Sequence, residues 1–151
     1  MSNENLQIRR EDIEREANAL VNVPFRHQGD DPRFGIDCRG VLLTIAARLG
    51  YTPSQEYRKD YSKTPDAAEF RAALAGELDP IEVSALQRGD APLLWVPKET
   101  EPRHVGVIVS GQYELMIIHA TEKAGRVIKE PWRKWERFAV EGFRFRGLIY
   151  G

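Results

Sequence analysis

Gly35-Ile36-Asp37-Cys38-Arg39-Gly40-Val41-Leu42-Leu43-Thr44-Ile45-Ala46-Ala47-Arg48-Leu49-Gly50 is the stretch on which the fold turns, and it holds the only cysteine of the 151-residue chain. Val41, Leu42, Ile45 and Leu49 recur at helical spacing, and Gly50 closes the run as a C-terminal cap would. Asp37 occupies the N-cap position, where its carboxylate can accept a first-turn backbone N–H. Cys38 then lies in the first turn of a buried helix, beside unpaired N–H groups and the positive end of the helix dipole. Both favour thiolate over thiol, so the position suits a cysteine nucleophile. Gly35 and Gly40, flanking it, let other backbone approach closely. The competing reading of a lone cysteine is a small buried core residue.

Outward from this helix, the N-terminal side reads as a second helix and a loop. From about Arg9 to Asn22, charged residues surround Ile13, Ala17, Leu20 and Val21, an amphipathic helix with one apolar stripe. Pro24 stops it. Residues 24–35 are rich in Gly, Pro and Asp, a loop that leads into the cysteine helix and lies over the thiol. His27 within it reads either as a surface loop residue or as a substrate contact. Residues 1–8 read as a flexible N-terminus.

On the other side, Tyr51 to Pro65 reads as a surface excursion carrying Tyr57, Asp60 and Tyr61, one wall of a groove. Asp66 to Gly76 reads as a short helix with Asp66 as its cap and Phe70 and Leu74 on one face. Gly89-Asp90 is a turn signal before a buried strand, Ala91 to Val96. The remainder is strand-rich. His104 to Val109 and Tyr113 to Ala120 form a hairpin about Ser110-Gly111-Gln112, and Arg126 to Glu130 adds a strand. Trp132 to Phe138 reads as a helical turn or half-exposed loop. Gly142 to Ile149 alternates aromatic and basic residues as a last half-buried strand. Helices first and an antiparallel sheet after them give one α+β domain, spanning 1–151.

The hairpin carries two of the three histidines, His104 at its start and His119 at its return. In an antiparallel pair the start of one strand faces the end of the other, so the imidazoles are expected as neighbours. One would act on the Cys38 thiol, and the other would hold it in a useful tautomer. A Cys⁻/His⁺ ion pair is the reactive state this arrangement leads one to expect. Each histidine alone reads as an ordinary hydrogen-bonded strand residue; two at opposite ends of one hairpin, beside a single helix-start cysteine, are less easily accidental.

Composition excludes several classes. One cysteine allows no intrachain disulfide and no cysteine-based zinc cluster, and no HExxH or similar ligand spacing is present, so no metal and no cofactor are expected. A formal net charge of -1 argues against nucleic acid as a partner. No apolar run approaches a transmembrane span, so no membrane insertion is expected. The polar, acidic start Met1-Ser2-Asn3-Glu4-Asn5 is not a signal peptide, and the expectation is a product made in the cytoplasm.

In order and spacing these segments resemble the NlpC/P60 family of papain-like cysteine peptidases, and within it the branch of phages and gene transfer agents. The matching pieces are Asp37-Cys38-Arg39-Gly40 opening a helix, the preceding Pro24-Phe25-Arg26-His27 and Leu86-Gln87-Arg88-Gly89-Asp90 before a strand. His104-Val105-Gly106-Val107, His119-Ala120 and the late Phe143-Arg144-Phe145 follow. The resemblance runs from about residue 10 to the end. It implies a papain-like NlpC/P60 fold, with Cys38 as nucleophile, His104 as general base and His119 as orienting residue. The substrate it implies is the cell-wall (peptidoglycan) stem peptide, and Phe25, His27, Asp37 and Arg39 are the residues expected to line its site. The phage branch implies phage tail proteins as partners and a place in the virion. Many relatives carry tyrosine where this chain has Phe25, and phenylalanine has no hydrogen to donate. A tail module of the same fold with little activity, or a thiol amidase or acyltransferase, are the alternative readings.

Overall fold

The computed structural model describes residues 3–54, 66–97, 99 and 101–149. Helix α1 is Arg10–Ala19, and its apolar stripe buries Ile13 and Ala17. The loop after it folds into a two-stranded clip, β1 (Asp30–Asp31) against β2 (Gly35–Ile36). Helix α2 is Cys38–Arg48, opened by Asp37, whose carboxylate accepts from the Gly40 N–H at 2.8 Å. Helix α3, Ala67–Glu77, is capped the same way by Asp66, which accepts from Glu69 N–H at 2.8 Å. Gly76, expected to end that helix, lies inside it, and the chain turns extended only at Leu78.

The strands follow: β3 (Leu78–Ile81), β4 (Asp90–Leu94), β5 (His104–Val105), β6 (Val107–Ser110), β7 (Leu115–Thr121), β8 (Arg126–Pro131) and β9 (Ala139–Phe145). All pair antiparallel, but in two ladders: β3-β9-β4-β5 and β6-β7-β8. Alternation along β6 and β7 sorts their side chains. Val107, Val109, Ile118 and Ala120 join the main core with α1 and α2, whereas Ile108 and Ile117 join a smaller cluster with Leu94 and Trp132. The Trp132–Phe138 segment is two successive 3-10 turns that cover that smaller cluster.

One expectation needs correction. His104 does not begin a continuous hairpin strand. It lies on β5, which pairs with β4 through Leu94, while the β6–β7 ladder starts at Val107. The N-terminus is tied down at Ile8, which is buried and bonded to Gly147 and Ile149 of the C-terminal segment. Tyr57, Asp60 and Tyr61 of the expected groove wall lie outside the described residues. Among the described residues no helix is long and apolar enough to cross a membrane.

Candidate active site

Cys38 takes its place because Asp37 starts α2 there and because the loop comes close. The Asp37 N–H donates to the Gly29 carbonyl at 3.1 Å, and that same carbonyl lies where a Cβ on residue 40 would have to go. Only glycine at position 40 lets the loop reach the first turn of the helix. The thiol is half-buried and packs at the margin of the main core. It faces the backbone N–H of Val105, the residue after His104, so α2 and β5 meet at the sulfur.

His104 and His119 meet as well. His104 Nε2 is 2.7 Å from His119 Nδ1, with ring centroids 5.0 Å apart. The contact depends on Gly106. Extending the β6–β7 register by one residue sets Gly106 opposite His119. A Cβ there would lie 3.0 Å from the His119 Cβ and 2.9 Å from Ile117 Cδ1. The break between β5 and β6 falls at this glycine, and it swings His104 over the His119 ring.

The chain of contacts continues past the two residues expected from sequence. His119 Nε2 is 2.7 Å from Glu130 Oε2, and the Trp135 indole N–H donates to the same oxygen at 3.1 Å. The Trp135 ring also stands edge-on to His119 at 4.9 Å between centroids. Sequence reasoning missed both. The available signal was strand alternation: Glu130 shares a face with Ile128, the cross-strand partner of His119. Using it requires the β7–β8 register, which a sequence does not state.

Electrostatically the site is dry. Burial pushes the Cys38 thiol up to about 12, with the Asp37 charge acting in the same direction. The Val105 amide, the Arg39 cation and the Arg39 amide pull it back only in part. Burial pushes His104 down to about 3, reinforced by His119. His119 is also lowered by burial, against the opposing hydrogen bond and charge of Glu130. Burial thus opposes the charged form of both the thiol and the imidazole, against the direction that a Cys⁻/His⁺ pair needs. Desolvation outweighs the helix start, because a dipole end contributes less than removal of water from a charged sulfur costs.

The remaining expected site residues divide. Asp37 and Arg39 are buried, and both make structural contacts. The Asp37 carboxylate is taken by the cap, and the Arg39 guanidinium carbon sits 5.5 Å from the centre of the Phe70 ring, bridging α2 to α3. Phe25 is half-buried, and His27 is exposed and set edge-on to it at 5.2 Å. His27 Nε2 is 3.4 Å from Glu122 Oε1 on the β7–β8 turn. Among the described residues no cluster of His, Cys, Asp and Glu could hold a metal ion.

No protein-family model matches the chain, and no curated protein does. Solved structures do. A Staphylococcus aureus protein described as similar to a lipoprotein of the NLP/P60 family superposes with a TM-score of 0.61 at 16% identity, over 96% of this chain and 45% of its own. This chain therefore spans less than half of that protein. The NlpC/p60 domain of the peptidoglycan hydrolase SagA gives 0.60 at 19% identity, over 91% of this chain and 100% of that domain. A Bacteroides uniformis N-acetylmuramoyl-L-alanine amidase gives 0.61 at 9% identity, over 90% and 98%. With N-terminal helices laid against a C-terminal antiparallel sheet, and the lone cysteine at the head of the helix that meets it, the chain has the papain-like NlpC/P60 architecture.

Proposed function

We propose that the protein is a cysteine hydrolase that cleaves an amide bond in peptidoglycan stem peptides. The observation that carries this reading is the His104–His119 contact at 2.7 Å on the strand junction that receives the first turn of the cysteine helix. Cell-wall peptide is the substrate class because two proteins sharing the fold are described as a peptidoglycan hydrolase and a muramoyl-alanine amidase.

In this reading Cys38 attacks the carbonyl and His104 takes the thiol proton as the bond forms. Because burial opposes charge on both thiol and imidazole, proton transfer in this reading accompanies attack. The Cys38 N–H, at the start of α2, faces the developing oxyanion. The imidazolium then protonates the leaving amine, and water, deprotonated by His104, releases the acyl group from sulfur. His119 holds the His104 ring throughout. Phe25 and His27, on the loop beside Cys38, form the lip that the peptide passes, and His27 is the candidate donor on the side where Phe25 has no hydroxyl. The place in a phage tail implied by the sequence resemblance belongs to the same proposal.

The test is turnover of a γ-D-glutamyl-diaminopimelate peptide, with Cys38→Ala as control. Hydrolysis by the native chain and none by the variant is the expected result. A second reading, a binding module of the same fold, is favoured by the thiol held near 12 and by the missing hydroxyl at Phe25. It predicts equal affinity of both proteins for the peptide and no product from either.

A further inference from the structure

Glu130 is the one carboxylate hydrogen-bonded to either histidine among the described residues, and its geometry has chemical consequences. An indole N–H can only donate, so Glu130 Oε2 is an acceptor at Trp135. The same oxygen lies 2.7 Å from His119 Nε2, which therefore carries its proton on that nitrogen. A neutral His119 with Nε2–H has a bare Nδ1. The 2.7 Å contact at Nδ1 must then be filled by His104 Nε2–H. A neutral His104 with Nε2–H has its lone pair on Nδ1, the ring nitrogen not engaged with His119. One carboxylate, two rings away, thus determines which nitrogen of His104 is the base.

We propose that Glu130, clamped by the Trp135 indole, is a positioning residue that sets the tautomer and the basicity of both histidines. This rests on the peptidase reading for its use in catalysis, not for its existence. When the proton leaves Cys38 Sγ it lands on His104 Nδ1, and the electron pair of the S–H bond stays on sulfur. His104 becomes imidazolium and keeps its Nε2–H on His119, which keeps its own on Glu130. No proton needs to travel down the line. The carboxylate charge stabilises the cation through His119, whose ring is fully buried and so is not compensated by water. The Glu130 side chain is itself 26% exposed, so its charge costs less to keep there than one sealed in the core. The groups that bear on the two histidines are few. On His104 it is His119, which lowers it further, and on His119 it is Glu130 of β8, which works against burial to favour the protonated ring.

Trp135 gives the proposal a sign test. Its N–H draws acceptor strength from Oε2, so removing it should strengthen the bond to His119. Glu130→Gln and Trp135→Phe, both close in shape to the native residues, should then move histidine basicity in opposite directions. The experiment is ¹⁵N NMR of the full chain labelled at histidine, with His27→Gln used to assign the third ring, and melting curves to verify folding. At neutral pH the native rings of His104 and His119 should both be Nε2–H tautomers with unprotonated Nδ1. On acidification, imidazolium should appear at a pH at least one unit lower in Glu130→Gln than in the native chain, and at a higher pH in Trp135→Phe. Hydrolysis by Glu130→Gln should show kcat reduced tenfold or more, KM changed less than twofold, and the acid limb displaced the same way. An Nδ1–H tautomer on either ring, or an unchanged titration in folded Glu130→Gln, overturns the proposal. The NMR shifts without any hydrolysis by the native chain would support the positioning role and overturn the peptidase reading.

Discussion

At the scale of single residues, burial opposes charge in the candidate site. Burial raises the Cys38 thiol and lowers His104, and this links them to stability in opposite pH windows. For Cys38 the folded-state value, about 12, exceeds the ordinary 9.0, so the unfolded chain loses its proton first and stability falls as pH rises from 9.0 toward 12. Tyr51, also raised to about 12 by burial and Glu77, adds to the same loss. For His104 the folded value, about 3, is below the ordinary 6.5, so the unfolded chain gains a proton first and stability falls as pH drops from 6.5 toward 3. Melting temperature against pH should therefore fall less steeply above pH 9 in Cys38→Ser than in the native protein, and less steeply below pH 6.5 in His104→Gln. By the same reasoning iodoacetamide should label Cys38 slowly at pH 7 and faster into the alkaline range. A labelling plateau below pH 7 would show the ion pair to be the resting state. Gly106 sets a steric limit at this scale. Gly106→Ala should cost about 1–3 kcal/mol by overpacking, because its methyl meets Ile117 and His119. Denaturant melts measure that cost, and loss of the His104–His119 coupling in the NMR titration measures the displacement.

At the scale of elements, the cysteine helix shows how one residue can hold two roles. The Asp37 carboxylate caps α2, and its charge also raises the thiol. Substitution separates the two. Asp37→Ala removes the cap and should cost about 1 kcal/mol of stability in denaturant unfolding. Asp37→Asn keeps a capping oxygen and removes the charge. It should leave stability nearly unchanged while iodoacetamide labels Cys38 faster at pH 8 than in the native protein. Equal labelling rates would show that the Asp37 charge does not reach the sulfur. The cap, the helix and the turn at Gly89-Asp90 were legible in the sequence because each is a local arrangement. The division of the strands into two ladders was not, because it depends on which strand β5 pairs with, and a two-residue strand carries no alternation to read.

At the scale of the whole molecule, α1, β4 and β9 are joined around Asp90, which is fully buried. Arg10 Nη1 donates to its Oδ1 at 3.1 Å and to the Arg88 carbonyl at 2.6 Å. Arg144 donates to both its oxygens at 3.0 and 2.9 Å, and the Gln87 N–H donates to Oδ2 at 2.9 Å. Asp90→Ala would leave the Arg10 guanidinium buried without its carboxylate and should cost about 3–5 kcal/mol, read as the shift of the denaturant midpoint. A loss under 1 kcal/mol would show that the cluster is not what joins the helix to the sheet. Asp90 and Arg144 sit in segments that sequence reading marked as a turn and an alternating strand, and as pieces of the family resemblance. Neither marking indicates that Arg144 and, from α1, Arg10 both bond to Asp90.

By itself the sequence determined the order of elements, the helix that starts at Cys38, and the two histidines as neighbours of each other. Those follow from spacing, capping and turn chemistry, which act over a few residues along the chain. Only the tertiary structure decided that His104 reaches His119 through a break at Gly106, that Glu130 and Trp135 extend the contact, and that burial pushes the thiol up. Each of these depends on strand register and on exclusion of water, and both arise only when segments distant in the chain close over one another.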